Sequence, residues 1–187
     1  LPHGGLGAMK NSDGKYPSAY PHNSIVTPSE IIESKCPVKV LSKEIIVDSC
    51  GAGKFRGGPG QKIVFKNIGK NTITLTIRPD MIKYPARGLS GGSDGINGSV
   101  ILNKKRIYDF KPIEWKPGEE VSLIVPSGGG YGDPKFRSEK DIINDLINGI
   151  YNVETVNKIY KKRYRKKDIE RMKINNISSV LNNETTI

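Results

Sequence analysis

His3, His22, Cys36 and Cys50 are the residue types in this chain best suited to a metal, and their spacing argues against one. They stand 19, 14 and 14 residues apart, whereas zinc ligands arrive in close pairs. Nucleophilic catalysis fares no better. Gly88-Leu89-Ser90-Gly91-Gly92 satisfies G-x-S-x-G, but that elbow needs a strand before the serine and a helix after it. Pro85 precedes it, Ser93-Asp94-Gly95 follows it, and both histidines lie upstream of a serine whose base should come last. Gly51-Ala52-Gly53-Lys54-Phe55 ends like a phosphate-binding loop, yet Asp48 replaces the leading glycine and Phe55 the required hydroxyl. Two features survive. Arg56, set between glycines, could clamp a carboxylate bidentately or pin a turn through its carbonyls. Gly128, Gly129 and Gly130 could turn successive N–H groups inward as an anion nest, or serve as a tight connection that only glycine tolerates.

The elements that would position these residues divide the chain in two. Residues 1–134 hold all 12 Pro and 20 of the 21 Gly. Val38–Val47, Lys62–Ile68, Thr72–Ile77, Ser99–Leu102 and Val121–Val125 are rich in Val, Ile and Thr, and several alternate, which predicts antiparallel strands with one buried face. Between them lie the glycine clusters 51–60, 88–98 and 128–132. No long helix fits between Val38 and Val125, because Gly and Pro recur too often. After Pro134 the period changes. Ile142, Ile143, Leu146, Ile147 and Ile150 share a helical face, with Ser138 to cap it and Asn148-Gly149 to stop it. A second helix from about Asn152 carries Val153, Val156, Ile159 and Tyr160 inward. The predicted fold class is α+β: a mainly antiparallel β domain rich in glycine turns, then a short two-helix segment. The organisation is a turn-rich opening (1–35), the β domain (36–134), a helical segment with a basic end (135–173) and a flexible tail (174–187).

The 30 Lys and Arg against 19 Asp and Glu give a net charge of +11. Residues 135–187 carry 12 basic and 7 acidic side chains, concentrated between Lys158 and Lys173. That block suits either a solvated helix end or an anionic partner, and no nucleic-acid motif accompanies it. No apolar run approaches 18 residues, which excludes a transmembrane helix within these residues, and no charged leader with an apolar core opens the sequence, so no secretory signal is expected from it. Cys36 and Cys50 bracket one extended strand, too far apart to bridge, so both are expected reduced and the compartment cytoplasmic.

Ordinary motifs occur here in an unusual order. Gly4-Gly5-Leu6-Gly7-Ala8, Asp13-Gly14, Asn23 and Thr27-Pro28-Ser29-Glu30-Ile31-Ile32-Glu33 are followed by Cys36-Pro37-Val38-Lys39-Val40. Ser49-Cys50-Gly51-Ala52-Gly53-Lys54-Phe55-Arg56-Gly57-Gly58-Pro59-Gly60 comes next, then Arg87-Gly88-Leu89-Ser90-Gly91-Gly92, Lys116-Pro117-Gly118-Glu119 and Pro126-Ser127-Gly128-Gly129-Gly130-Tyr131-Gly132-Asp133-Pro134. This series resembles the hydantoinase B/oxoprolinase family over Gly4 to about Lys161. Asp141, Asp145, Asn148-Gly149, Glu154 and Tyr160 resemble the family's ending. Cys50 stands where the family usually has glycine.

The resemblance implies the C-terminal part of a much longer B-type subunit, and Leu1 at the first shared motif fits a split or processed chain. It implies ATP-dependent opening of a cyclic amide of the 5-oxoproline or hydantoin class, with an A-type subunit that binds ATP and phosphorylates the amide oxygen. Alternatives are a subunit of an acetone- or acetophenone-type ketone carboxylase, or a non-catalytic β-rich scaffold. ATP and a divalent metal are expected on other parts of a hetero-oligomer, with membrane and nucleic acid not expected as partners. Asp13, His22, Asn23 and Glu30 are the candidates for active-site contact, since the opening would follow directly on the catalytic part. Their other reading is turn and cap chemistry. Ile63-Val64-Phe65 and Ile45-Ile46-Val47, apolar on consecutive positions, predict a sheet that seeks cover on both faces. The lone chain is therefore expected to aggregate, and the covering interface to exceed a standard complex.

Overall fold

Short apolar alternations set the architecture. The computed structural model describes residues 3–18, 27–108 and 111–174. Its strands are β1 (Val38–Ile45), β2 (Gln61–Asn67), β3 (Ile73–Leu75), β4 (Ser99–Leu102), β5 (Lys105–Ile107), β6 (Ile113–Trp115) and β7 (Glu120–Val125). Five of them pair antiparallel in the order β1-β2-β7-β4-β5, while β3 and β6 form a separate antiparallel pair. Register puts Val40, Phe65 and Val121 side by side, and Leu123, Val100 and Ile107 likewise. This inner face closes on Trp115 of β6 and on Ile73 and Leu75 of β3, with Ile32 of α1 (Ser29–Lys35) at the edge. Buried Asn67 ties the two sheets together: its amide donates to the carbonyls of Trp115 (2.8 Å) and Asn71 (3.2 Å).

No helix among the described residues falls between Val38 and Val125. β1 ends at Ile45, short of Val47, because Asp48 turns the chain at φ 60°. A bulge between Val40 and Ser42 leaves Leu41 unpaired and exposed. The outer face is less apolar than the consecutive runs suggest. From Ile63-Val64-Phe65 it takes only Val64, whose strand neighbours Lys62 and Lys66 pair with Glu44 (3.5 Å) and Glu120 (4.0 Å). The strands β5 and β6 escape sequence reading because three residues are too short to show a period.

The glycine clusters do more than reverse the chain. Extended stretches from residues 4–8, 51–60, 86–96 and 126–132 lie backbone against backbone. Gly58 N–H donates to Leu6 O (2.7 Å), Gly128 N–H to Gly58 O (2.9 Å), Gly51 N–H to Gly128 O (3.0 Å) and Gly57 N–H to Gly51 O (2.8 Å). A Cβ at Gly57 would collide with Gly128 O, one at Gly128 with Leu6 O, and one at Gly58 with Lys15 O. These glycines are fixed by close approach rather than by a left-handed backbone, as at the crowded axis of collagen.

The helices pack on this bundle. A single 3₁₀ turn (Pro134–Phe136) leads into α2 (Glu139–Ile147), and α3 (Val153–Ile159) follows. A further helix, α4, covers residues 166–174. Ser138 caps α2 by accepting from Asp141 N–H (3.1 Å), and Gly149 ends it at φ 69°. Ile142, Leu146 and Ile150 pack with Val156, Tyr160 and Ile169 against Cys50 and Ala52 of the bundle. Cys36 is exposed and Cys50 buried, and both are free. No described helix is long and apolar enough to cross a membrane. The expected tail lies, beyond residue 174, outside the described residues.

Candidate functional site

Four charged side chains from four distant segments converge where α2 meets the bundle. Asp13 comes from the opening, Arg56 from the first glycine cluster, Arg137 from the turn before α2 and Asp145 from α2. Arg137 Nη1 and Nη2 donate to Asp13 Oδ1 and Oδ2, both at 2.8 Å, a parallel fork. Arg137 Nη2 and Nε also donate to Asp145 Oδ2 (2.6 and 3.1 Å), while Arg56 Nε donates to Asp145 Oδ1 (2.7 Å). Spare donors reach carbonyls: Arg56 Nη1 at Gly57 O (3.0 Å) and Arg137 Nη1 at Lys54 O (3.2 Å). Asp13 Oδ1 also accepts from the Arg56 backbone N–H (2.9 Å). The side chains of Arg137, Asp145 and Arg56 are 1%, 5% and 9% exposed, against 30% for Asp13. The cluster is neutral and water reaches it chiefly at Asp13.

Burial would push the Asp13 carboxyl upward, but the Arg137 fork and the charges of Arg137 and Arg56 outweigh it and hold Asp13 below the usual carboxylate range. At Asp145 burial prevails over the same two guanidiniums and pushes the carboxyl up. Neither Arg can give up its proton, so the arrangement holds charge rather than moving it. A carboxyl whose folded pKa is lowered stabilises fully above its unfolded value and loses that contribution as pH falls through the folded value. From about pH 6 to about pH 3 the melting temperature of the Asp13→Asn protein should therefore decline less than that of the parent. Asp145 shares both guanidiniums with Asp13, so the difference reads Asp13 together with the change its loss makes at Asp145. Parallel melting curves would remove the charge role given to Asp13.

Of the residues singled out in the sequence, Asp13 and Arg56 are brought together here. Glu30 stands apart, exposed in the first turn of α1, and His22 and Asn23 lie outside the described residues. In the glycine triplet, Gly128 and Gly130 N–H donate to Gly58 O and Ser93 O (both 2.9 Å), and the three carbonyls accept from Gly51, Ala8 and Leu89. Backbone packing uses those donors. Burial pushes the Cys50 thiol up to about 12, which keeps it a thiol. Among the described residues no three His, Cys, Asp or Glu side chains gather to hold a metal ion.

Arg137 escaped sequence reading because it lies in a charged stretch with no motif of its own. One signal was available: the chain has 22 Lys and only 8 Arg, and an Arg chosen in a lysine-rich chain marks a place where a planar fork is needed.

With this geometry in view, the similarities acquire a location. The hydantoinase B/oxoprolinase family model matches residues 1–134, which contain the whole sheet and glycine bundle. An uncharacterized protein of Methanocaldococcus jannaschii is 34% identical over 150 residues, 76% of this chain and 26% of that one. The caprolactamase subunit beta of Pseudomonas jessenii is 29% identical over 168 residues, 80% of this chain and 28% of that one. The crystal structure of the ATP-dependent caprolactamase from Pseudomonas jessenii superposes with a TM-score of 0.69 at 22% identity, covering 88% of this chain and 30% of its own. This chain thus spans between a quarter and a third of the length of these relatives. By the extent of the family match, the chain belongs to the hydantoinase B/oxoprolinase family.

Proposed function

We propose that the chain is the part of a cytoplasmic B-type subunit that frames the ATP-dependent hydrolysis of a cyclic amide of the 5-oxoproline or hydantoin class. The observation that carries this reading is the family match over residues 1–134, joined by similarity to a caprolactamase subunit over 80% of the chain. An unstrained amide is a poor electrophile because resonance gives its C–N bond double-bond character. Phosphorylating its oxygen with ATP removes that obstacle. In this reading an A-type subunit supplies the ATP site, and other parts of the B-type subunit supply the divalent metal. This chain contributes the rigid floor: the glycine bundle, clamped by Asp13, Arg56, Arg137 and Asp145. Asp13, with its solvent-reaching edge, is the member placed to meet a neighbouring segment or subunit.

The test is reconstitution of this chain with the rest of the B-type subunit and an A-type subunit. Ring-opened acid and ADP should form together from 5-oxoproline, a hydantoin or caprolactam, and this chain alone should form neither. Consumption of acetone and bicarbonate instead would move the assembly to the ketone-carboxylase alternative. Turnover by the isolated chain would refute the framing role.

A further inference from the structure

The basic block after α3 contains a cavity that the ring-opening reading does not use. A recess of about 520 Å³ lies between the 3₁₀ turn and the end of α3, with Ile159 and Pro134 as apolar wall and Lys135, Lys161 and Lys162 as cations. One acid, Asp133, shares it and pairs with Lys135 at 2.8 Å. The Lys135 hydrogen bond and, beside it, the charge of Lys161 hold the Asp133 carboxyl below the usual carboxylate range, while Lys166 and Arg165 nearby pair with Glu154 (2.9 Å) and Asp168 (3.0 Å). The lining residues carry three ammonium groups and one carboxylate, a net charge of about +2 beside a space of ligand size.

The backbone supplies a second, independent observation. α2 and α3 end alike, with one residue in the left-handed conformation just after the cap. After α2 that residue is Gly149 at φ 69°, and after α3 it is Lys161 at φ 52°. Glycine is the ordinary occupant because it alone carries no Cβ penalty there. The chain uses glycine at one of two equivalent positions and keeps a strained, long cationic side chain at the other. Five further non-glycine residues share this backbone region, Lys104 at φ 66° among them, and Lys161 is the one that lines the recess.

We propose that this recess is a binding site for a phosphate-bearing small molecule with a net charge near −2. Three lysine ammoniums offer such a group point charges rather than a bidentate fork. An ammonium acts as a point charge on phosphate, whereas a guanidinium fork suits carboxylates as well. Ile159 and Pro134 would contact the organic body of the ligand. The recess takes Asp133, Pro134 and Lys135 from before α2 and Ile159, Lys161 and Lys162 from the end of α3 and just beyond it, and its assignment stands independently of the reaction proposed above.

The experiment is calorimetric titration of the full-length protein, in the assembly with which it purifies, using inorganic phosphate and pyrophosphate at ionic strength matched with potassium chloride. Lys161→Gly relieves the backbone strain, so its melting temperature should equal or exceed that of the parent. Its phosphate or pyrophosphate binding should nevertheless weaken by about tenfold or more, the loss of a charge-assisted bond. Lys162→Gln should weaken binding in the same direction. Arg171→Gln, in the same basic block but outside the recess, should stay within about twofold. Tighter binding of pyrophosphate assigns the site to a diphosphate, and tighter binding of phosphate to a monophosphate. The proposal is overturned if the parent binds neither anion, if Lys161→Gly binds as the parent does, or if Arg171→Gln loses as much, which would mean diffuse surface charge.

Discussion

Replacing Arg137 by methionine is expected to destabilise the protein by about 3–5 kcal/mol, seen as a fall in melting temperature of roughly 10 °C. The substitution keeps most of the aliphatic volume but leaves Asp13 and Asp145 with one guanidinium between them. The cluster then passes from neutral to −1 in a place where Asp145 is 5% exposed. Two paired ions and two paired counter-ions need not stabilise a fold much in total, since each was taken out of water to make the pair. Removing one partner is different, because the charge left behind stays buried. A second substitution separates these cases: Arg137→Met with Asp145→Leu restores neutrality and should recover part of the loss. Arg165→Met, which breaks the exposed pair with Asp168, should change stability by no more than about 1 kcal/mol. If Arg137→Met melts like Arg165→Met, the cluster is not what holds α2 to the bundle.

The glycine bundle should be less forgiving still. Gly57→Ala places a methyl group against Gly128 O, with Gly129 O at 3.0 Å. Both are backbone atoms, and each belongs to a segment held by further hydrogen bonds. A side chain can rotate away from an added methyl, whereas here two chain segments must separate, and the bonds from Gly58 to Leu6 and from Gly51 to Gly128 go with them. A loss of at least about 3 kcal/mol is expected, beyond the usual range of core overpacking. In practice the variant should fail to accumulate as folded protein. Gly118→Ala is the matched comparison: its Cβ would meet nothing within 4 Å, and only the positive φ of 80° is unfavourable. It should cost about 1 kcal/mol and fold. Equal behaviour of the two alanines, read by circular dichroism and melting, would show that the segments part easily.

The sequence carried these features unequally. α2 was legible to within a residue because its period, its Ser138 cap and its Gly149 stop agree. The sheet strands were legible because Val121, Leu123, Phe65 and Val100 alternate or cluster. β5 and β6 were not, since Lys105-Arg106-Ile107 and Ile113-Glu114-Trp115 make sense only once a neighbour supplies the register. The family motifs brought out Asp13, Arg56 and Asp145 separately, but neither Arg137 nor the pairing of the four. That pairing joins positions 124 residues apart for Asp13 and Arg137, and 89 for Arg56 and Asp145. No local pattern encodes such a contact. Glycine has the same ambiguity: a cluster of glycines reads as turns, and only packing reveals that the missing side chains make room for neighbouring backbone.

The ion cluster also sets a clock on synthesis. The family match stops at residue 134, after the last strand, yet the counter-charges of the bundle arrive with Arg137 and Asp145. While the ribosome still holds those residues in its tunnel, a nascent chain has every strand available and Arg56 without its buried carboxylate partner. Domains form as units during translation, and non-local contacts close late. The bundle therefore locks only when α2 emerges, and α2 serves as the final fastener of a unit whose first stretch was made long before it.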